Sequence, residues 1–186
     1  MAIKNIAPFE LTTVQVGGPT DKQFTKGEIR VDEAGRKYIR AKVIPGTGSV
    51  TGAKHTIVVP YCSSNVHTPG EYTHDLTDTA SALQTLTGIQ KFSMMTAVTH
   101  HGWVQVKGPA KYLTAATNTA WVDGSWLYVS TTDNRLNNLN VASTENAVAG
   151  INLTKCAIAL ENNGVSGGTM ATGVTKSIWL IGNGYE

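Results

Sequence analysis

Cysteine is nearly absent from this chain, because only Cys62 and Cys156 occur among its 186 residues. Neither stands in a CxxC pair or in a zinc-ribbon spacing, which excludes a disulfide framework and a zinc site of that type. Two isolated cysteines are typical of free buried thiols. The sparse cysteine usage also predicts a protein that is made and kept in a reducing cytosol.

Long apolar runs and concentrated charge are missing as well. No run of about 18 apolar residues suggests a membrane-spanning helix, and the N-terminal segment lacks the continuous apolar core of a signal peptide. Charged residues make up 15% of the chain and the formal net charge is +2, without the focused basic surface typical of nucleic-acid binders. We therefore expect neither a membrane nor direct nucleic acid as a partner.

What the sequence does contain is short alternating segments between turn residues. Gly, Thr, Ser and Asn are abundant, a mixture that favours turns and β-strands over helices. We predict a mainly β protein, an antiparallel β-sandwich or barrel with a jelly roll as one candidate topology, and one short helix over 77–88. Residues 1–26 read as an extended N-terminal arm and residues 27–186 as a single β domain.

Turn residues place the predicted strands more closely. Three hairpins are expected, with turns at 33–35, at 100–102 between strands 92–99 and 103–107, and at 123–124 between 120–122 and 126–132. Further strands are expected at 55–62 and in two closing segments, CAIALEN and KSIWLIGNG. Gly108 and Pro109 are expected to end a strand, 63–76 to form a polar connection that turns at 69–70, and 133–150 to form an exposed loop.

The histidines are the first candidates for a metal site. His67, His74, His100 and His101 lie in polar segments, but adjacent histidines on an extended chain point to opposite sides and do not share one ion easily. The spacing HTPGEYTH does not match HExxH. We interpret these histidines as structural or surface residues and expect no metal.

Candidate catalytic groups are equally sparse. No GxSxG motif frames a nucleophile, and the Gly-rich stretch 46–49 lacks the GKS or GKT ending of a phosphate-binding loop. Asp32 with Glu33, and Asp75 with Asp78, are explained by turn formation and helix capping. The sequence therefore predicts a protein that is not an enzyme, with no catalytic residue and no cofactor.

The chain has four tryptophans, Trp103, Trp121, Trp126 and Trp179. Each lies in or beside a predicted strand, where large apolar side chains serve a core or a subunit contact. A surface that stacks a sugar or a base is the alternative interpretation.

Three segments, taken in order, carry a resemblance to a known family: GEIRVDEAGRKYIRAKVI, then GWVQVKGPA, then CAIALENNG with SIWLIGNG. In this order they resemble the structural cement, or capsid decoration, proteins of tailed bacteriophages. The resemblance covers most of residues 27–184 and includes Gly102, Trp103, Gln105 and, later, Leu160 and Glu161. The first 26 residues and the Asn-rich segment 133–150 have no counterpart.

The resemblance implies a virion protein on the capsid surface, assembled in the host cytoplasm. Such a protein stabilises contacts between copies of the major capsid protein, and it is a homo-oligomer, either a dimer or a trimer. Its contacts would use anchors in the N-terminal arm and tryptophans of the β domain: Ile3, Ile6, Phe9, Leu11, Trp103, Trp121 and Trp126. A locally packed first strand is the alternative for the arm. Other functions left open are a head fibre base, a tail or connector subunit, and a carbohydrate-binding β module.

Overall fold

Strands make up most of the backbone that the computed structural model describes. The structure describes residues 15–16, 26–45, 53–63, 66–75, 86–94, 98–114, 118–119, 121–130, 135–138, 155–162, 169–170 and 173–182. No α-helix occurs among these residues, and the predicted mainly β class is confirmed. The predicted helix over 77–88 falls mostly on residues outside the described part, and its last residue, Gly88, opens a strand instead.

Thirteen strands occur in the described residues. They are β1 (Gln15–Val16), β2 (Ile29–Val31), β3 (Lys37–Ile44), β4 (Ile57–Ser63), β5 (Val66–Thr73), β6 (Gly88–Gln90), β7 (His100–Leu113), β8 (Asn118–Thr119), β9 (Trp126–Ser130), β10 (Arg135–Asn138), β11 (Ala157–Ala159), β12 (Thr169–Met170) and β13 (Thr175–Leu180).

Eleven of these strands form one sheet, in the order β10-β9-β11-β13-β7-β6-β4-β5-β3-β2, with β1 paired to β7. β3 also pairs with β7, and β12 and β8 form a separate two-stranded sheet. The pairs are antiparallel except for β3 and β5, which run parallel. The 14-residue strand β7 is the centre of the arrangement, because its first half pairs with β3 and its second half with β13.

The expected strand end at Gly108 and Pro109 is wrong, since β7 runs through both residues. The pairing of β3 with β7 skips one residue of β7 between Gln105 and Lys107, which is a β-bulge. Gly108 follows with a φ of +87°, a conformation that costs glycine little. The side chain of Gln105 donates from Nε2 to the carbonyl oxygen of Pro109 at 2.7 Å. The strand therefore bends and changes partners where the sequence predicts that it stops.

The first predicted hairpin is confirmed, with Ile29 opposite Ile39 across β2 and β3. Its turn is held by Asp32, whose Oδ1 accepts hydrogen bonds from the backbone N–H groups of Ala34 and Arg36, each at 3.0 Å. An aspartate that binds the backbone two residues ahead is a local device, which is why the sequence reveals it.

The other two hairpins differ from expectation. Residues 100–102 lie inside β7 and do not form a turn, and they pair with β3, where Ala41 stands opposite Gly102. The turn at 123–124 is present, with Gly124 at a φ of +80°. However, the partners of β9 are β10 and β11 rather than residues 120–122. Strands other than the expected neighbours therefore supply the pairing in both places, and for β9 one of them, β10, is the next strand along the chain.

Two predicted loops contain strands. β5 covers most of the expected polar connection because Tyr72 and Thr73 are fully buried between β4 and β3. β10 lies within the expected exposed loop 133–150, because Leu136 is fully buried against the core, and residues 139–150 lie outside the described part. The strand expected at 55–62 is observed as β4, and the two closing strands are observed as the antiparallel pair β11 and β13.

The N-terminal segment is described only at β1, where Gln15 pairs with His101 of β7. The four anchor candidates Ile3, Ile6, Phe9 and Leu11 lie outside the described residues.

The sheet closes on itself because β3, near one end of the strand order, also pairs with β7. One cluster joins Ile57, Val59 and Ile89 of β4 and β6 to residues of β7, β9, β10, β11 and β13. A second cluster fills the other face around Val104 and Val106. The sheet thus folds over itself in the manner of a sandwich or barrel.

Candidate functional site

Four side chains form a row across neighbouring strands on one face of the sheet. Ile158 of β11 stands opposite Trp126 of β9 on one side and opposite Trp179 of β13 on the other. Trp179 in turn stands opposite Pro109 of β7. Residues that are directly opposite point to the same face, so these four residues form a continuous apolar stripe about 14 Å long. We call Trp126, Ile158, Trp179 and Pro109 the tryptophan row.

The tryptophan row faces outward, away from the core. Trp126 is 40% exposed and Trp179 is 45% exposed, while their strand neighbours Leu127, Ile178 and Leu180 are fully buried. This alternation follows from the two-residue period of a strand. The large apolar side chains therefore stand on the surface of the isolated chain, on a rigid sheet.

Positive charge borders the tryptophan row. The ammonium of Lys155 lies 4.6 Å from the ring centroid of Trp126, a cation–π geometry. Lys111, two residues after Pro109 on the same face, donates from Nζ to Oγ of Ser177 at 2.6 Å. The carboxylate of Glu161 accepts a hydrogen bond from the backbone N–H of Ser177, and this bond lowers the pKa of Glu161.

The other two tryptophans lie in the interior, so they do not contribute to a surface of this chain. Trp103 is 4% exposed, and the guanidinium groups of Arg30 and Arg40 lie 5.3 and 5.8 Å from its ring centroid. Glu28 forms ion pairs with both arginines. Trp121 is fully buried, with its ring centroid 6.1 Å from that of Tyr112.

The histidines singled out in the sequence have structural contacts. Buried His74 donates from Nε2 to Oε1 of Gln90 at 2.8 Å, and burial lowers the pKa of His74 although this hydrogen bond opposes the shift. The Nδ1 atom of buried His100 lies 2.8 Å from the carbonyl oxygen of Val98. In the part of the chain that the structure describes, no group of three or more His, Cys, Asp or Glu side chains is placed to hold a metal ion.

Two of the acidic residues singled out in the sequence, Asp32 and Asp75, make local hydrogen bonds. Burial alone would raise the pKa of Asp32, but hydrogen bonds and charge from Arg36 outweigh it and lower that pKa. Asp75 donates its backbone N–H to Oγ1 of Thr73 at 3.0 Å, and Asp78 lies outside the described residues. Both cysteines are free, and burial raises the pKa of the Cys156 thiol to about 12.

Of the row, sequence reasoning names only Trp126 as an interface candidate, beside the buried Trp103 and Trp121, and it misses Trp179, Ile158 and Pro109 as members of a surface. Nothing local marks these three residues, because the row exists only through the register of β9, β11, β13 and β7. To find them, one must know which strands are neighbours in the sheet.

No protein-family model matches the chain, and no curated protein is significantly similar to it. Among the residues described by the structure, none belongs to a helix long and apolar enough to cross a membrane.

Proposed function

We propose that this chain is a non-enzymatic structural protein that binds another protein surface through the tryptophan row. The single observation that carries the proposal is the alignment of Trp126, Ile158, Trp179 and Pro109 across four strands, with both indoles nearly half exposed. Tryptophan side chains that become buried in an interface are among the strongest contributors to binding. A rigid sheet also presents them with little loss of backbone entropy on binding.

We further propose that the bound surface is the outside of a phage capsid, where the protein stabilises contacts between major capsid proteins as a homo-oligomer. The segments that resemble phage decoration proteins are the framework of the sheet: the β2–β3 hairpin, β7, β11 and β13. The second and third of these segments also supply three of the four residues of the row, Pro109, Ile158 and Trp179. The remaining residue, Trp126, lies on the strand next to β11.

The structural contacts of the polar side chains support the proposal that the protein is not an enzyme. Asp32 binds the turn of the first hairpin, Glu71 pairs with Lys26 and Lys42, and His74 binds Gln90. Each of these contacts holds strands or turns together, which is the function expected of polar groups in a structural protein.

A carbohydrate-binding module is the second candidate function. Trp126 and Trp179 lie two strands apart, about 10 Å, on one face, and two exposed indoles at such a separation also form a platform for flat apolar ligand faces. The two functions differ in their ligand, so one set of variants separates them.

The test compares capsids incubated with the wild-type chain, with a Trp126→Ala/Trp179→Ala variant, and with Val66→Ala as a matched control. Val66 is 66% exposed and lies outside the row. We expect the double variant to lose decoration and heat protection of the capsid, while Val66→Ala retains both. Equal decoration by all three chains contradicts the proposal. Glycan-panel binding that Trp126→Ala abolishes would support the carbohydrate-binding candidate instead.

A further inference from the structure

The backbone around His55 joins three parts of the sheet away from the core. The N–H of His55 donates to the carbonyl oxygen of Gln90 at 2.9 Å. Its carbonyl oxygen accepts a hydrogen bond from the N–H of Leu113 at 2.8 Å. His55 therefore connects the segment before β4 with the last residue of β6 and with the end of β7.

Each of these three parts carries a lysine within two residues of the hydrogen-bonded backbone groups. Lys54 precedes it in the chain, Lys91 follows Gln90, and Lys111 lies two residues before Leu113. Burial lowers the pKa of His55, and the positive charges of Lys91, Lys54 and Lys111 lower it further. All three ammonium groups thus act electrostatically on the same imidazole.

His55 itself has two unusual features. Its φ is +75°, and no other residue in the described ranges, glycine aside, has a positive φ. Backbone strain of this kind is found preferentially at functional sites. The Nδ1 atom of its ring is buried and has no hydrogen-bond partner. The imidazole therefore has one polar atom unused at the centre of a positively charged cluster.

Lys91 is unusual for a lysine because it is only 8% exposed. Burial lowers its pKa to about 8, and the positive charges of Arg36 and Lys54 act in the same direction. The ion pairs in the described part of the chain use other cations, such as Lys26 and Lys42 with Glu71. Lysines are almost never buried to this extent without a partner of opposite charge.

Asp32 is the acidic residue whose negative charge acts on Lys91, but its carboxylate already binds other groups. Oδ1 of Asp32 accepts from two backbone N–H groups of its turn, and Oδ2 lies 2.6 Å from Nε of Arg36. The cluster of Lys54, His55 and Lys91 consequently carries positive charge that the described residues do not neutralise.

We propose that Lys54, His55 and Lys91 form a binding site for a small oxyanion, with Lys111 adding positive charge. Phosphate and a carboxylate share the chemistry that this site recognises, namely negatively charged oxygens that accept hydrogen bonds from ammonium groups. Lys54, His55 and Lys91 belong to other segments than Trp126, Ile158 and Trp179, and Lys111 alone also lies beside the row. The anion site does not depend on the function proposed for the row.

The test titrates the full chain near neutral pH with sodium phosphate and, separately, with sodium acetate, at an ionic strength held constant with sodium chloride. Binding is followed by the chemical shifts of the His55 ring and of the backbone amides of Lys54 and Lys91. We expect saturable shifts at these positions with phosphate, with acetate or with both. Saturation by phosphate alone identifies a phosphate site, and saturation by acetate identifies a site for carboxylates as well. Shifts that do not saturate with either anion overturn the proposal.

Variants locate the binding. Lys54→Gln changes an exposed residue and is expected to weaken anion binding about tenfold, while Lys91→Gln abolishes it. Lys155→Gln, a change of another exposed lysine, is the matched control and keeps the wild-type affinity. If Lys91→Gln does not fold, Lys54→Glu replaces it and is expected to abolish binding. Unchanged affinity in Lys54→Gln and in the second variant contradicts the site.

Discussion

At the scale of single residues, burial divides the four tryptophans into two kinds that the sequence does not distinguish. Trp103 and Trp121 fill the interior, whereas Trp126 and Trp179 stand on the surface. All four lie in or next to strands, so composition and strand propensity are the same for each. The difference comes from which face of the strand meets the core, and that depends on the completed sheet.

This division predicts opposite effects on stability. Trp121→Ala removes a fully buried side chain, and we expect the free energy of unfolding to fall by about 3–5 kcal/mol. Trp126→Ala removes a half-exposed ring and its contact with Lys155, and we expect a loss below about 1 kcal/mol. Urea unfolding followed by circular dichroism measures both values. Similar losses in the two variants would contradict the assignment of Trp126 to the surface.

His74 makes a second prediction at this scale, on pH. Burial lowers the pKa of His74, so the folded protein keeps its ring neutral at a pH where the unfolded chain binds a proton. Below about pH 6.5, the ordinary histidine pKa, the unfolded state therefore holds more protons and the free energy of unfolding decreases as the pH falls. The lowered pKa of His55 contributes in the same direction.

We expect His74→Gln to reduce the stability lost between about pH 7.5 and about pH 5.5, because glutamine does not titrate and still donates to Gln90. Urea unfolding at intervals across this range measures the slope. His67→Gln, which makes the same substitution at a histidine in β5 outside the core, is the matched control. A slope in His74→Gln equal to that of the wild type is the contrary result.

At the scale of secondary-structure elements, the sequence predicts strands and turns that are held by local contacts. It does not predict pairing between strands that are distant in the chain. The β2–β3 hairpin is predictable because Asp32 binds the turn of its own hairpin. The course of β7 is not predictable in this way, since its second half is held by β13 from the end of the chain. A glycine and a proline that would end an isolated strand form a bend here, and Gln105 supplies a hydrogen bond to the Pro109 carbonyl.

The bend in β7 predicts that glycine is required at position 108. Alanine there must adopt a φ of +87°, and its Cβ would lie 3.2 Å from Cγ of Arg36. We expect Gly108→Ala to lower the free energy of unfolding by about 1–2 kcal/mol from the backbone alone, and by more from the contact. Gly124→Ala has a similar φ of +80° but no atom within 4 Å, so it isolates the backbone cost. Gly108→Ala should be the less stable variant, and the reverse order would contradict this account of the bend.

At the scale of the whole molecule, the candidate site is a product of the topology. The tryptophan row joins residues from Pro109 to Trp179, and they meet only because β7, β13, β11 and β9 are neighbours in this order. Sequence patterns reveal that each segment is a strand but not which strands are adjacent. Trp126 could therefore be named from the sequence as a contact candidate, whereas its partner Trp179 and the stripe that they form could not.

We propose above all that the tryptophan row is buried in a contact between assembled proteins. A cryo-electron microscopy reconstruction of capsids decorated with the full chain tests it most directly. We expect Trp126 and Trp179 to lie within about 4 Å of side chains of the major capsid protein or of a neighbouring copy of this chain. A reconstruction in which the chain is bound but both indoles face solvent would contradict it.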